Sequence, residues 1–297
     1  MRSVHTHLGP DLEPRTLTLP DGRTLQYVQA GHGAPVVVFE AGLGACASSW
    51  TTVQRLVAAR ATTIAYDRAG YGGSSPDRQP RTLDRICADL HALIGEVSAE
   101  WPVVLVAHSY GGPIVRCYAD QHPKRVAGVV LVDVTFSAII PARAARLAPK
   151  MRQLVLLAHR LGLGQKLMKM RVHIRRNEDV ISEDLADFER DLFSRQSAQA
   201  GHAESAELAT SLPLMARWES QGLPNVPAMS LIGGAADGKR ERTIRTKLSD
   251  LHAKEMSRHP HGGFRIAPAA GHFVPQEEPA ATAAAIADLL EMVSART

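Results

Sequence analysis

The sequence predicts an α/β fold with a mostly parallel sheet, and three observations carry that expectation. Short unbroken apolar runs, such as Val36 to Phe39 and Val103 to Ala107, read as strands buried on both faces. They alternate with stretches whose apolar residues recur at helical spacing, as Leu83, Ile86, Leu90, Leu93, Ile94 and Val97 do. The alternation stops between about Phe136 and Gln221, where Ala- and Arg-rich helical stretches take over, and then resumes. At 297 residues and 45% apolar content the chain can bury a sizeable core.

Leu17 to Leu19 and Thr24 to Val28 flank Pro20-Asp21-Gly22-Arg23, a tight-turn sequence, and predict an antiparallel edge hairpin. Val36 to Phe39 is the next strand, followed by Glu40-Ala41-Gly42-Leu43-Gly44 and a helix from near Ser49-Trp50. Thr62 to Tyr66 forms a strand that runs into the glycine-rich Asp67 to Ser74 segment, where Asp67 reads as a staple for the loop. The helix from Leu83 to Val97 leads into the strand at Val103, and Val126 to Val132 is a further strand ending at Asp133. Beyond the insertion, with its helices near Ala142 to Leu161 and Glu183 to Phe193, come strands at Ala228 to Ile232 and Phe264 to Ile266. A helix from about Arg240 to Met256 joins those two strands, and an alanine-rich helix from about Glu277 closes the chain.

The stretch Val103 to Gly112 organises the rest. Its strand ends in Ala107-His108-Ser109-Tyr110-Gly111-Gly112, a serine between small residues two positions to either side. Small neighbours let a strand turn into a helix so sharply that the serine hydroxyl is left exposed at the strand's end. Ala107 stands where a glycine is usual and crowds the turn by one methyl. The following helix points its amino-terminal partial charge at the serine.

Other features set bounds. Three cysteines without metal-type spacing, Cys46, Cys87 and Cys117, point to buried reduced thiols and a cytoplasmic protein. Met1 to Pro14 lacks the apolar stretch of a secretory signal, and no run approaches membrane-spanning length. A net charge of +4 with 5% aromatic residues is too weak a signature for nucleic-acid binding. Lys150, Arg152, Arg160, Lys166, Lys169, Arg171, Arg175 and Arg176 form a basic stripe, read as a solvated helix face, with an anionic substrate or a membrane surface as rival partners.

In a parallel sheet, residues just past the carboxyl ends of the strands gather on one face. Ser109, Asp237 and His272 each occupy such a loop. Asp237 follows Gly233-Gly234-Ala235-Ala236, and that loop's freedom and exposure favour it as the acid over Asp133, which also follows a strand. His108 adjoins the serine, but neighbours on a tight turn point apart, so it is expected to pack beneath the turn.

With Glu40 to Gly44, Asp67 to Ser74, His108 to Gly112, Gly233 to Asp237 and Gly271-His272-Phe273-Val274-Pro275 in this order, the sequence resembles the capped branch of the α/β-hydrolase family over nearly its whole length. The resemblance implies a sheet of about eight strands with helices on both faces, a core of residues 1–135 and 222–297, and a helical cap of residues 136–221 inserted after the sixth strand. It further implies a triad of Ser109, Asp237 and His272, with an oxyanion hole from the backbone N–H groups of Leu43 and Tyr110. Ala41 replaces the histidine usual at the start of the oxyanion loop, and Glu40 before it is expected to hydrogen-bond to that loop.

The expected activity is hydrolysis of a carboxylic ester, lactone or thioester of a small to medium apolar substrate through an acyl-enzyme, without metal or cofactor. Relatives that open epoxides or remove halogen attack with a carboxylate, which a serine cannot replace. Two alternatives remain: cleavage of a carbon–carbon bond in a vinylogous diketone, using cap cations among Arg171, Arg175, Arg176, Arg190 and Arg195, and a ligand receptor that does not turn over. Leu214, Met215 and Trp218 are expected either to line the pocket or to pack between cap and sheet.

Overall fold

The computed structural model describes residues 12–176 and 181–296, so the segment 1–11, read above for a signal, lies outside the described residues. In chain order the elements are β1 Glu13–Thr18, β2 Thr24–Ala30, β3 Val36–Glu40, α1 Thr51–Val57, β4 Thr62–Tyr66, α2 Leu83–Val97, β5 Val103–His108, α3 Gly111–Gln121 and β6 Val126–Val132. Helices α4 Ala142–Arg160, α5 Gly164–Arg171, α6 Ser182–Leu192, α7 Arg195–Ala206 and α8 Leu208–Gln221 follow. The chain then returns through β7 Ala228–Gly233, α9 Lys239–Met256, β8 Gly262–Ala267, α10 Val274–Glu277 and α11 Pro279–Ser294.

The described strands form one eight-stranded sheet in the order β1-β2-β4-β3-β5-β6-β7-β8. The Asp21-Gly22 turn sets β1 and β2 antiparallel, with Thr18 opposite Thr24, and β2 pairs antiparallel with β4. All pairings from β4 to β8 are parallel. The central strands β4, β5 and β7 are buried along their whole length, as their apolar runs require when helices cover both faces. One core forms on the side of α2, α3 and α8, and the other on the side of α1 and α11. Cys46, Cys87 and Cys117 are free and buried.

The described residues between β6 and β7 form helices and no strand of the sheet, as the sequence predicts. Met215 and Trp218 on α8 sit in the core against the sheet, with the Trp218 Nε1–H donating to Asp120 Oδ2 at 3.0 Å, and Leu214 packs against the same cluster. Of the two expectations for these residues, core packing is the one found.

Candidate active site

Ser109 sits at the end of β5 with φ +53°, the left-handed conformation that L-residues rarely adopt and that a sharp strand-to-helix turn imposes. Ala107 fits there fully buried, its methyl absorbed into the core. The loop after β3 lies beside Ser109. A Cβ on Gly42 would lie 3.2 Å from the Ser109 Cβ, so this loop passes hard against the serine.

His272 Nε2 lies 3.0 Å from Ser109 Oγ, and its Nδ1 lies 2.6 Å from Asp133 Oδ2. Asp133 is fully buried. Burial pushes its carboxyl up, but the hydrogen bond and charge of His272 and the charge of Arg245 outweigh it and hold the group well below the usual carboxylate range. An ionised carboxylate only accepts, so the imidazole proton resides on Nδ1 and the Nε2 lone pair faces the serine hydroxyl. The other carboxylate oxygen, Oδ1, accepts from Arg245 Nη1 and from the Gly233 N–H, which fixes the carboxylate plane.

Asp237, the acid expected from sequence, is not brought to this group. Its side chain is 72% exposed and pairs with Arg175 at 2.6 Å. Sheet order and chain crossing explain the difference. β6 lies beside β5, so the residue after β6 is one strand from the serine, whereas β7 lies one strand further out. The segment carrying His272 also runs over the end of β7. A Cβ on Gly233 would sit 1.7 Å from the Gly271 carbonyl oxygen, so only glycine permits that crossing. The loop after β7 is thereby turned outward, with the Gly234 and Ala235 N–H groups bonded to the Ala267 and Ala270 carbonyls, while Asp133 lies beneath His272. Asp133 reaches it with φ +46°, a strained conformation matching that of Ser109.

His108 lies beneath the turn, as expected, and its Nε2–H donates to the His272 carbonyl at 2.8 Å. Burial, helped by the neighbouring His272, pushes its pKa down to about 3, so near neutrality it is an uncharged clamp on the loop that carries His272. Asp67 is a staple: Oδ1 accepts the Ala47 N–H and Oδ2 the Gly73 N–H, each at 2.9 Å.

Glu40 acts on the loop after β3 through Arg68, which the sequence offers as a partner for Asp67 and which pairs here with Glu40 instead. Buried Arg68 donates to Glu40 Oε1 at 2.8 Å and to the carbonyls of Ala41 and Gly42 at 2.7 and 2.9 Å. The same guanidinium meets both oxygens of buried Glu204 on α7, at 2.7 and 2.9 Å. Tyr71 donates to Glu204 Oε2 at 2.8 Å and accepts the Gly44 N–H at 3.2 Å. The loop beside the serine is therefore tied to a helix of the insertion by fully buried groups.

A cavity of about 160 Å³ opens at Ser109 and His272. Leu43, Met168, Val172, Phe188, Leu192 and Phe273 make it apolar, and Arg152 on α4 is the cation in its lining. A larger hollow of about 750 Å³, lined in part by Arg81, Arg195 and Gln196, does not touch the serine or the histidine. The cap arginines considered from sequence lie elsewhere: Arg175 is paired with Asp237, Arg176 with Glu189, Arg190 with Asp187, and Arg195 lines the larger hollow. The Arg171 side chain is outside the described residues.

With the sheet order, the strained serine and its histidine in place, the comparisons with known proteins agree. Residues 32–285 match the model of the alpha/beta hydrolase family, and the chain belongs to that family. Among curated relatives, it is 32% identical over 172 residues to a probable transporter of Hormonema carpetanum, which is 54% of this chain and 24% of that protein. It is 37% identical over 118 residues to epoxide hydrolase A of Mycobacterium tuberculosis, 38% of this chain and 36% of that one. The chain thus spans well under two thirds of the length of these relatives. Among solved structures, an esterase of Thermogutta terrifontis superposes with a TM-score of 0.71 at 21% identity, covering 95% of this chain and 99% of that one. An epoxide hydrolase of Vigna radiata gives 0.74 at 18% identity, covering 95% and 98%. At these identities the structural likeness establishes the fold.

Proposed function

We propose that this chain is a serine hydrolase that cleaves a carboxylic ester, lactone or thioester with a small to medium apolar acyl group. The observation that carries the reading is the continuous relay from Ser109 Oγ through His272 to buried Asp133. Family relatives include both esterases and epoxide hydrolases by name. A serine at the strained turn, in place of a carboxylate, favours acyl transfer.

In this reading Ser109 Oγ attacks the carbonyl carbon as His272 Nε2 removes its proton. Asp133 holds the imidazole tautomer and stabilises the imidazolium that forms, the role first expected of Asp237. The backbone N–H groups of Tyr110 and Leu43 receive the oxyanion, and Arg68 fixes the Leu43 loop by gripping the carbonyls on its amino-terminal side. The imidazolium returns its proton to the leaving alcohol, and a water molecule deprotonated by the same histidine releases the acid. Residues 136–221 serve as a cap that closes the apolar cavity over the acyl group.

Arg152 in the lining gives a second reading its footing, since carbon–carbon cleavage of a vinylogous diketone calls for a cation to hold a substrate carboxylate. A panel of p-nitrophenyl esters from short to long acyl chains separates the two. The ester reading expects turnover by the wild type, strongest for short to medium chains, and its loss in Ser109→Ala. Absence of serine-dependent ester cleavage would overturn it, and slow single turnover with a ligand-dependent gain in stability would point instead to a receptor.

A further inference from the structure

Helices α4 and α5 present two unlike faces. Inward, Ala145 is buried, and Arg152 and Met168 reach the cavity at Ser109. Outward, Leu147, Met151, Leu154, Leu157 and Leu161 are 42% to 67% exposed, and Met170 on α5 is 75% exposed. At about 100° per residue the first five fall within roughly a third of the helix circumference, a continuous stripe on the order of 20 Å long. Of the thirteen strongly exposed large apolar side chains among the described residues, eight lie between Leu147 and Met170. They form one patch rather than a scatter of single residues.

The segment that carries the patch has charges of one sign. Residues 136–176 contain ten Lys or Arg and no Asp or Glu. Arg146, Lys150, Arg160, Lys166 and Lys169 are exposed beside the apolar stripe. No described helix is long and apolar enough to cross a membrane, so the stripe is suited to lying on a surface rather than spanning a bilayer.

We propose that α4 and α5 form a docking face for an anionic lipid surface, with Leu154, Leu157 and their neighbours inserted among the acyl chains and the flanking Lys and Arg held by acidic headgroups. Such a surface offers apolar depth and negative charge in one plane, which complements the apolar stripe and its flanking cations. A second copy of the chain is disfavoured as occupant, because it would bring two acid-free, Lys- and Arg-rich segments together. Docked this way, the helices that contact the lipid are the same helices that roof the Ser109 cavity. The proposal does not depend on the assignment of the reaction.

The test is flotation of the purified full-length chain with vesicles of phosphatidylcholine alone and of phosphatidylcholine mixed with phosphatidylglycerol, at low and high salt, alongside light scattering of the free protein. Retention is expected only on the anionic vesicles and is expected to fall as salt rises. Lys150→Gln and Lys166→Gln should each weaken it about fivefold, the contribution of one cation near such a surface. Leu154→Asp/Leu157→Asp should abolish retention while leaving the circular dichroism melt unchanged. Absence of retention, equal retention on neutral vesicles, or retention that survives the double Asp substitution would each overturn the proposal. A dimer dispersed by Leu154→Asp/Leu157→Asp, without vesicle binding by the wild type, would assign the face to a second copy and also overturn it.

Discussion

His108 is 5% exposed, and burial together with the neighbouring His272 lowers its pKa from the ordinary 6.5 to about 3. The unfolded chain takes up this proton as the pH falls through about 6.5, while the native state refuses it until about 3. Unfolded molecules therefore bind more protons across that window. The stability tied to neutral His108 is complete above it, declines as the pH drops, and is lost near pH 3. The full difference is on the order of 5 kcal/mol, and at pH 5 about 2 kcal/mol has already gone. His108→Gln keeps an N–H donor for the His272 carbonyl but does not titrate. Urea unfolding of both proteins at pH 7 and pH 5 isolates the effect, because the two proteins differ at this one side chain. Wild type should lose about 2 kcal/mol more than the variant between those pH values. Parallel losses would refute the reasoning and show that the His108 site accepts a proton without cost.

Two further perturbations probe the supporting structure. Arg68→Met removes the cation shared by buried Glu40 and Glu204, so it should cost about 3–5 kcal/mol in unfolding experiments; a loss under about 1 kcal/mol would mean that water or another cation compensates. Asp237→Asn breaks only an exposed pair with Arg175, and it should change stability by less than about 1 kcal/mol and leave ester turnover within a few-fold of wild type.

Strand placement was legible because a strand buried on both faces must be apolar throughout, and β4, β5 and β6 lie where the apolar runs do. Ser109 and His272 were legible because glycines mark sharp turns at strand ends. The choice between the two aspartates was not. It turned on lateral strand order and on the His272 segment crossing Gly233, neither of which a local pattern encodes. Exposure and loop freedom favour Asp237 on sequence grounds, whereas the residue facing His272 is buried and conformationally strained. Arg68 and Glu204 are 136 positions apart, so their pairing left no local trace. Arg152 belongs by sequence to the basic stripe expected to be solvated, but at helical spacing it falls opposite Leu154 and Leu157 and faces the cavity.

The relay from Ser109 through His272 to Asp133 is tested most directly by kcat for a short-chain p-nitrophenyl ester in Asp133→Asn, set beside Asp237→Asn, with thermal melts to confirm that both remain folded. Asp133→Asn should lower kcat by about 10³–10⁴-fold, because an amide in place of the carboxylate no longer holds Nδ1 protonated or stabilises the imidazolium. Near-wild-type turnover in folded Asp133→Asn, with the large loss appearing in Asp237→Asn instead, would contradict the account.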